Sequence, residues 1–96
     1  MVRIMMYEIK RSPLADEGVL KLKKSGDKQV LKKLDSLINE LRVHPRTGTG
    51  KPEQLKYQTT ERWSRHITHK HRLIYDIFED VVIVEIIQTY GHYDDK

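Results

Sequence analysis

Two residues in the C-terminal half are of types that could transfer protons. Glu53 is a carboxylate set among cations in "GKPEQLK", and His92 is an imidazole at the end of an apolar run in "IIQTYGHY". A base and an acid of this kind are nearly all that cleavage of RNA requires, because the ribose 2′-hydroxyl is already the nucleophile. The protein must take the proton from that hydroxyl, give one to the leaving 5′-oxygen, and neutralise the phosphorane between them. Each proton-transfer group is worth about 10²–10⁴-fold in rate, and a well-aimed charge donor a similar amount. The chain offers Arg65 and Arg72 as cations, Lys51 and Lys56 on either side of Glu53, and Tyr90 and Tyr93 to stack on splayed bases. Taken singly, each has a plainer explanation. Glu53 could simply pair with a lysine, Arg72 could be an ion-pair partner, and His92 could merely be exposed. Their coincidence in one basic region favours chemistry.

Other chemistries fit less well. His66, His69 and His71 have an H-x-x-H-x-H spacing that invites a metal, but the surrounding arginines and lysine repel a cation. His66 is better read as an RNA contact. "GTGKP" lacks the G-x-x-x-x-G-K-[ST] spacing of a phosphate loop. None of Ser12, Ser25, Ser36 and Ser64 lies in a nucleophile elbow. No metal or other cofactor is expected.

The charge distribution agrees with a polyanion as partner. The 96 residues carry a net +4, yet residues 42–72 hold eight basic groups against two acidic ones, whereas residues 73–96 hold one against six. A basic middle third suits nucleic acid, and a solvated basic face is the alternative. The chain has no cysteine, so it has no disulfide framework. No stretch approaches the ~20 apolar residues of a membrane span. A soluble cytoplasmic protein of one domain, residues 1–96, is expected.

The elements that must position these residues can be read from capping and periodicity. Residues 2–9 read as an opening strand. Ser12-Pro13 is an N-cap followed by proline at the first helical position, and the helix runs to about Lys24, before Ser25-Gly26. Gly18 inside it costs about 1 kcal/mol relative to alanine. A second helix runs from Asp27 to about Val43, with Val30, Leu31, Leu34, Leu37, Ile38 and Leu41 forming one stripe. His44-Pro45 ends it, and "RTGTGKP" is a loop. From Trp63 the period becomes two, with Trp63, Arg65 and Ile67 on one face and Ser64, His66 and Thr68 on the other. Arg72 to Phe78 alternates likewise, Glu79-Asp80 suits a hairpin turn, and "VVIVEIIQTY" reads as a central strand buried on both faces. The expected fold is α+β: an N-terminal strand, a helical hairpin and an antiparallel meander, with the helices on one face of a twisted sheet.

"HPRTGTGKPEQLK", "RWSRHITHKHRLIYDI" and the terminal "GHY" together resemble the YoeB/Txe branch of the RelE superfamily of bacterial toxins, over roughly the last two thirds of the chain. The resemblance implies a RelE-like fold and an endoribonuclease that cleaves mRNA in the ribosomal A site without a metal. It implies a YefM-like antitoxin as partner, a homodimer alone or with that antitoxin, and contact with operator DNA only through it. By position, Glu53 would be the general base, His92 the general acid and Arg72 the stabiliser of the phosphorane. Lys51, Lys56 and Arg65 would hold RNA, and Tyr93 would orient the nucleotide. Two features depart from the pattern. His66 stands where relatives often carry a second arginine, which a charged histidine would replace only in part. The chain also runs on as Asp94-Asp95-Lys96, setting two carboxylates beside the expected acid. Non-catalytic occupancy of the ribosome and a degenerate toxin serving as a corepressor are the alternatives.

Overall fold

The computed structural model describes residues 6–92. A first strand, β1 (Glu8–Arg11), leads into two helices, α1 (Pro13–Lys24) and α2 (Lys28–Leu41). Then follow β2 (Glu53–Gln54), β3 (Glu61–His66), β4 (Arg72–Phe78), a short 3-10 turn (Glu79–Val81) and β5 (Ile83–Gln88). The caps work as the residue types require. Ser12 Oγ accepts from the Ala15 N–H at 3.1 Å and donates to the Ile87 carbonyl at 2.9 Å, so the same hydroxyl starts α1 and ties it to β5. Asp27 caps α2 by accepting from the N–H groups of Gln29 and Val30.

The five strands form one sheet in the order β1-β5-β4-β3-β2. β1 runs parallel to β5, and every other pair is antiparallel. The sheet is therefore mixed, and β5 lies between β1 and β4 instead of ending a simple meander. One face packs on the helices. Leu22 of α1 and Leu34, Leu37 and Leu41 of α2 meet Leu73, Tyr75, Ile77, Val84 and Ile86 there. Each such Leu, Ile or Val contributes about 1.5–3 kcal/mol by leaving water. Among the described residues, no helix is long and apolar enough to cross a membrane.

The expected strand 2–9 overlaps β1 only at its C-terminal end, and residues 1–5 lie outside the described residues. The expectation of a β5 buried on both faces needs correction. Val84 and Ile86 are fully buried on the helix side, but Ile83, Glu85 and Ile87 are only half-buried. β4 is the strand covered on both sides, since Leu73 through Ile77 are all buried. Three strands (β5, β4 and β3) are flanked on both edges, and β4 is the middle one.

Candidate functional site

Residues paired across a ladder share a face, and this rule assembles the site. Glu53 of β2 pairs with Ser64 of β3, and His66 of β3 pairs with Arg72 of β4. Ser64 and His66 are two residues apart on one strand, so Glu53, Ser64, His66 and Arg72 all lie on the face away from the helices. Two backbone bonds extend this row at the same end of the sheet. The His66 N–H donates to the Gly50 carbonyl at 2.7 Å, bringing Lys51 alongside, and the Arg72 N–H donates to the Gly91 carbonyl at 2.9 Å, bringing His92 alongside. Between the pairs Tyr75–Ile86 and Ile74–Gln88, β5 has one residue more than β4. That bulge rephases the last strand, so that Gln88 faces the open side and its Nε2 donates to the His92 carbonyl at 3.0 Å.

The electrostatics confirm the proximity. His66 is held below its ordinary value of 6.5, first by burial and then by the charges of Arg72 and Lys51; Glu53 opposes the shift and His92 adds to it. One imidazole thus senses all four of the other ionisable groups of this row. It is neutral at neutral pH, which corrects the expectation of a charged histidine here, and Lys51 and Arg72 are the cations beside it. Arg72 donates through Nη1 to the carbonyls of Thr68 and His69, which ties one side of its guanidinium to the β3–β4 turn. Lys51 is exposed and has φ +52, a left-handed conformation uncommon for a lysine.

Arg65, Lys56 and Tyr90 do not converge there. Arg65 has no exposed surface. Its Nε donates to Tyr75 Oη at 2.9 Å, Nη1 to Glu40 and the Thr49 carbonyl, and Nη2 to the carbonyls of His44 and Thr47. All five guanidinium N–H groups are committed to protein acceptors, so Arg65 has none to offer RNA. Its place is at the hub around which loop 44–49 is wound. Glu40 closes this hub by accepting from both the N–H and the hydroxyl of Thr49. Burial pushes the Glu40 carboxyl up, but its bonds from Thr49 and Arg65 outweigh this and hold it below its ordinary value. Lys56 is exposed in a bend past the end of β2, beyond the Leu55–Arg62 backbone bond. Tyr90, 41% exposed, is beside α1, with its ring 4.4 Å from that of His71 and Lys21 Nζ 5.3 Å from its centroid. Tyr93 and the Asp94-Asp95 extension lie outside the described residues.

The three histidines of "HITHKH" separate into different roles, and the described residues contain no group of three His, Asp or Glu that could hold a metal. His71 is the one that sequence reasoning missed. Its Nδ1 accepts the Gly91 N–H at 2.9 Å, a contact visible only once β5 is known to return beside β4.

This arrangement of carboxylate, imidazoles and cations on one open sheet end can be set beside known proteins. The family described as "YoeB-like toxin of bacterial type II toxin-antitoxin system" matches residues 20–93. The toxin YoeB of Escherichia coli K12 is 43% identical over 58 residues, covering 60% of this chain and 69% of that one. The YoeB dimer structure from Staphylococcus aureus superposes with a TM-score of 0.75 at 35% identity, covering 92% of this chain and 99% of that one. The heterotetrameric complex of YoeB-YefM toxin-antitoxin from the same organism gives a TM-score of 0.72 at 35% identity, over 91% and 98%. The chain belongs to the YoeB-like toxins of bacterial type II toxin–antitoxin systems.

Proposed function

We propose that the chain is an endoribonuclease that cleaves mRNA in the ribosomal A site and so halts translation in the cytoplasm. The observation that carries this reading is the row of Lys51, Glu53, His66, Arg72 and His92 brought to one end of the open face by four separate segments. Glu53, exposed on an edge strand, takes the proton of the ribose 2′-hydroxyl as its oxygen attacks phosphorus. His92, exposed on the opposite side of the row, protonates the 5′-oxygen as the P–O bond breaks. Arg72 and Lys51 neutralise the phosphorane between them, and a neutral His66 is a hydrogen-bonding group in the middle of the row. Tyr93, two residues beyond the Gly91 turn, orients the nucleotide, and Lys56 and Tyr90 contact RNA at the periphery. The products are a 2′,3′-cyclic phosphate and a 5′-hydroxyl.

A YefM-like antitoxin is the proposed partner, as in the Staphylococcus aureus complex, and a second copy of the chain is proposed as in the dimer from that organism. Operator DNA is contacted only through the antitoxin. The test is a translation extract with a defined message, in which cut position and end chemistry are mapped for wild type and for Glu53→Ala with His92→Ala. Wild type should leave 5′-hydroxyl ends within the A-site codon, and the double variant should leave the message intact. Arrest by the double variant at equal dose would instead mean inhibition by occupancy, and 5′-phosphate ends would exclude the mechanism.

A further inference from the structure

We propose that His71 is a positioning residue, a proton-sensitive latch that holds the segment carrying His92 against Arg72. This rests on the nuclease reading for its consequence in catalysis, but the latch itself is a matter of structure. Gly91 is gripped twice by adjacent residues. His71 Nδ1 accepts its N–H at 2.9 Å, and the Arg72 N–H donates to its carbonyl at 2.9 Å. Gly91 has φ +81, so the backbone reverses here, and the two bonds fix the direction in which the next residue, His92, leaves. His71 is itself held through its backbone and its ring. Its backbone N–H donates to Thr68 Oγ1 at 3.1 Å, its carbonyl accepts from the N–H of Ile67 at 3.0 Å, and its ring lies 4.4 Å from that of Tyr90.

An imidazole can accept at Nδ1 only in the neutral form with its proton on Nε2. Protonation fills the lone pair and turns an acceptor into a donor facing the Gly91 N–H. The charges that act on His71 oppose that proton: Lys70 and His69 in its own turn and His92 from the tail. On α1, Lys21 lies across the Tyr90 ring and is paired with Glu17. Burial, then Lys70, His92 and His69, accordingly lower the His71 pKa from its ordinary value of 6.5. The sign follows from this: the folded chain prefers neutral His71, so the latch is closed above 6.5 and its contribution is lost as pH falls below it.

The experiment combines amide NMR with cleavage kinetics on the full chain, using His71→Asn and His71→Ala. The Asn carboxamide oxygen replaces the Nδ1 acceptor without titrating. In wild type the Gly91 amide shift should titrate with His71, with a midpoint below 6.5, and its hydrogen-exchange protection should fall about tenfold or more below it. His71→Asn should keep the protection with no titration, and His71→Ala should lack it at every pH. In cleavage, His71→Ala should lower kcat by about 10–10²-fold with little change in KM, as expected when a proton donor is displaced by about an ångström. His71→Asn should recover most of that loss. A Gly91 amide indifferent to His71 would overturn the latch, as would equal activity of wild type and His71→Ala. If the amide behaves as expected while Glu53→Ala with His92→Ala still cleaves, the latch stands and the nuclease reading fails. If the amide is indifferent while that double variant is inert, the reverse holds.

Discussion

Replacing Arg65 by methionine separates two roles for the cation at this position of β3. In the structure the side chain is fully buried and donates to five acceptors on three elements of the chain: Tyr75 of β4, Glu40 of α2 and three carbonyls of loop 44–49. Methionine fills much of the volume but leaves Glu40 without its cation and Tyr75 Oη without a donor. Removing one member of a buried, hydrogen-bonded charge pair costs about 3–5 kcal/mol, a large part of the roughly 5–15 kcal/mol that holds a small domain folded. Water can reach the exposed side of the loop, so the lower half of that range is expected. Urea denaturation is the assay. With a slope of about 1–3 kcal/mol per M, the midpoint should fall by about 2 M. Lysine should not rescue, since a single ammonium cannot reproduce the planar five-donor fork. A midpoint moved by less than about 0.5 M, together with lost RNA cleavage by folded protein, would refute this argument and return Arg65 to the RNA-binding surface.

Three further outcomes follow from other parts of the molecule. Glu61, through its bonds from Arg46, and Glu40, through those from Thr49 and Arg65 against the opposing effect of burial, are held below the ordinary carboxylate value of 4.5. Their contribution is therefore present above 4.5 and lost as pH falls through it, so the urea midpoint should decline there and decline less in Glu40→Gln. His66→Gln should cleave within about threefold of wild type at pH 7.5, because the imidazole is neutral there, whereas a loss near 10²-fold would show that its charge is needed. Gly18→Ala, which improves helix propensity by about 1 kcal/mol, should nevertheless destabilise: a β-carbon there collides with Thr89 Oγ1, which donates to the Ala15 carbonyl at 2.8 Å. A rise in thermal midpoint would contradict the packing of α1 on the end of β5.

Local signals predicted the helices and β4 well, because caps, stripes and alternation are written in neighbouring residues. The alternation of Trp63, Arg65 and Ile67 even places Arg65 on the inward face. Its charge argued for the surface, and only the carbonyls of loop 44–49, about twenty residues upstream, explain how a guanidinium is accommodated inside. β2 leaves no signal in the sequence, since two residues of strand have no period. The continuous apolar run of β5 reflects its lateral place between β1 and β4, while full burial belongs to β4, a distinction that depends on the parallel pairing with β1. Glu53, Arg72 and His92 were legible as reactive types, and the bulge and the Gly91 turn that bring His92 to Arg72 were not.

The strand order has a consequence for when the molecule can act. β5 is the last strand to be synthesised, yet it lies between β1 and β4, both made earlier. Until residues 83–92 are in place, β4 lacks one neighbour, β1 has none, and the row at the sheet end lacks His92. The site is therefore completed only when the last strand is inserted between two strands made before it.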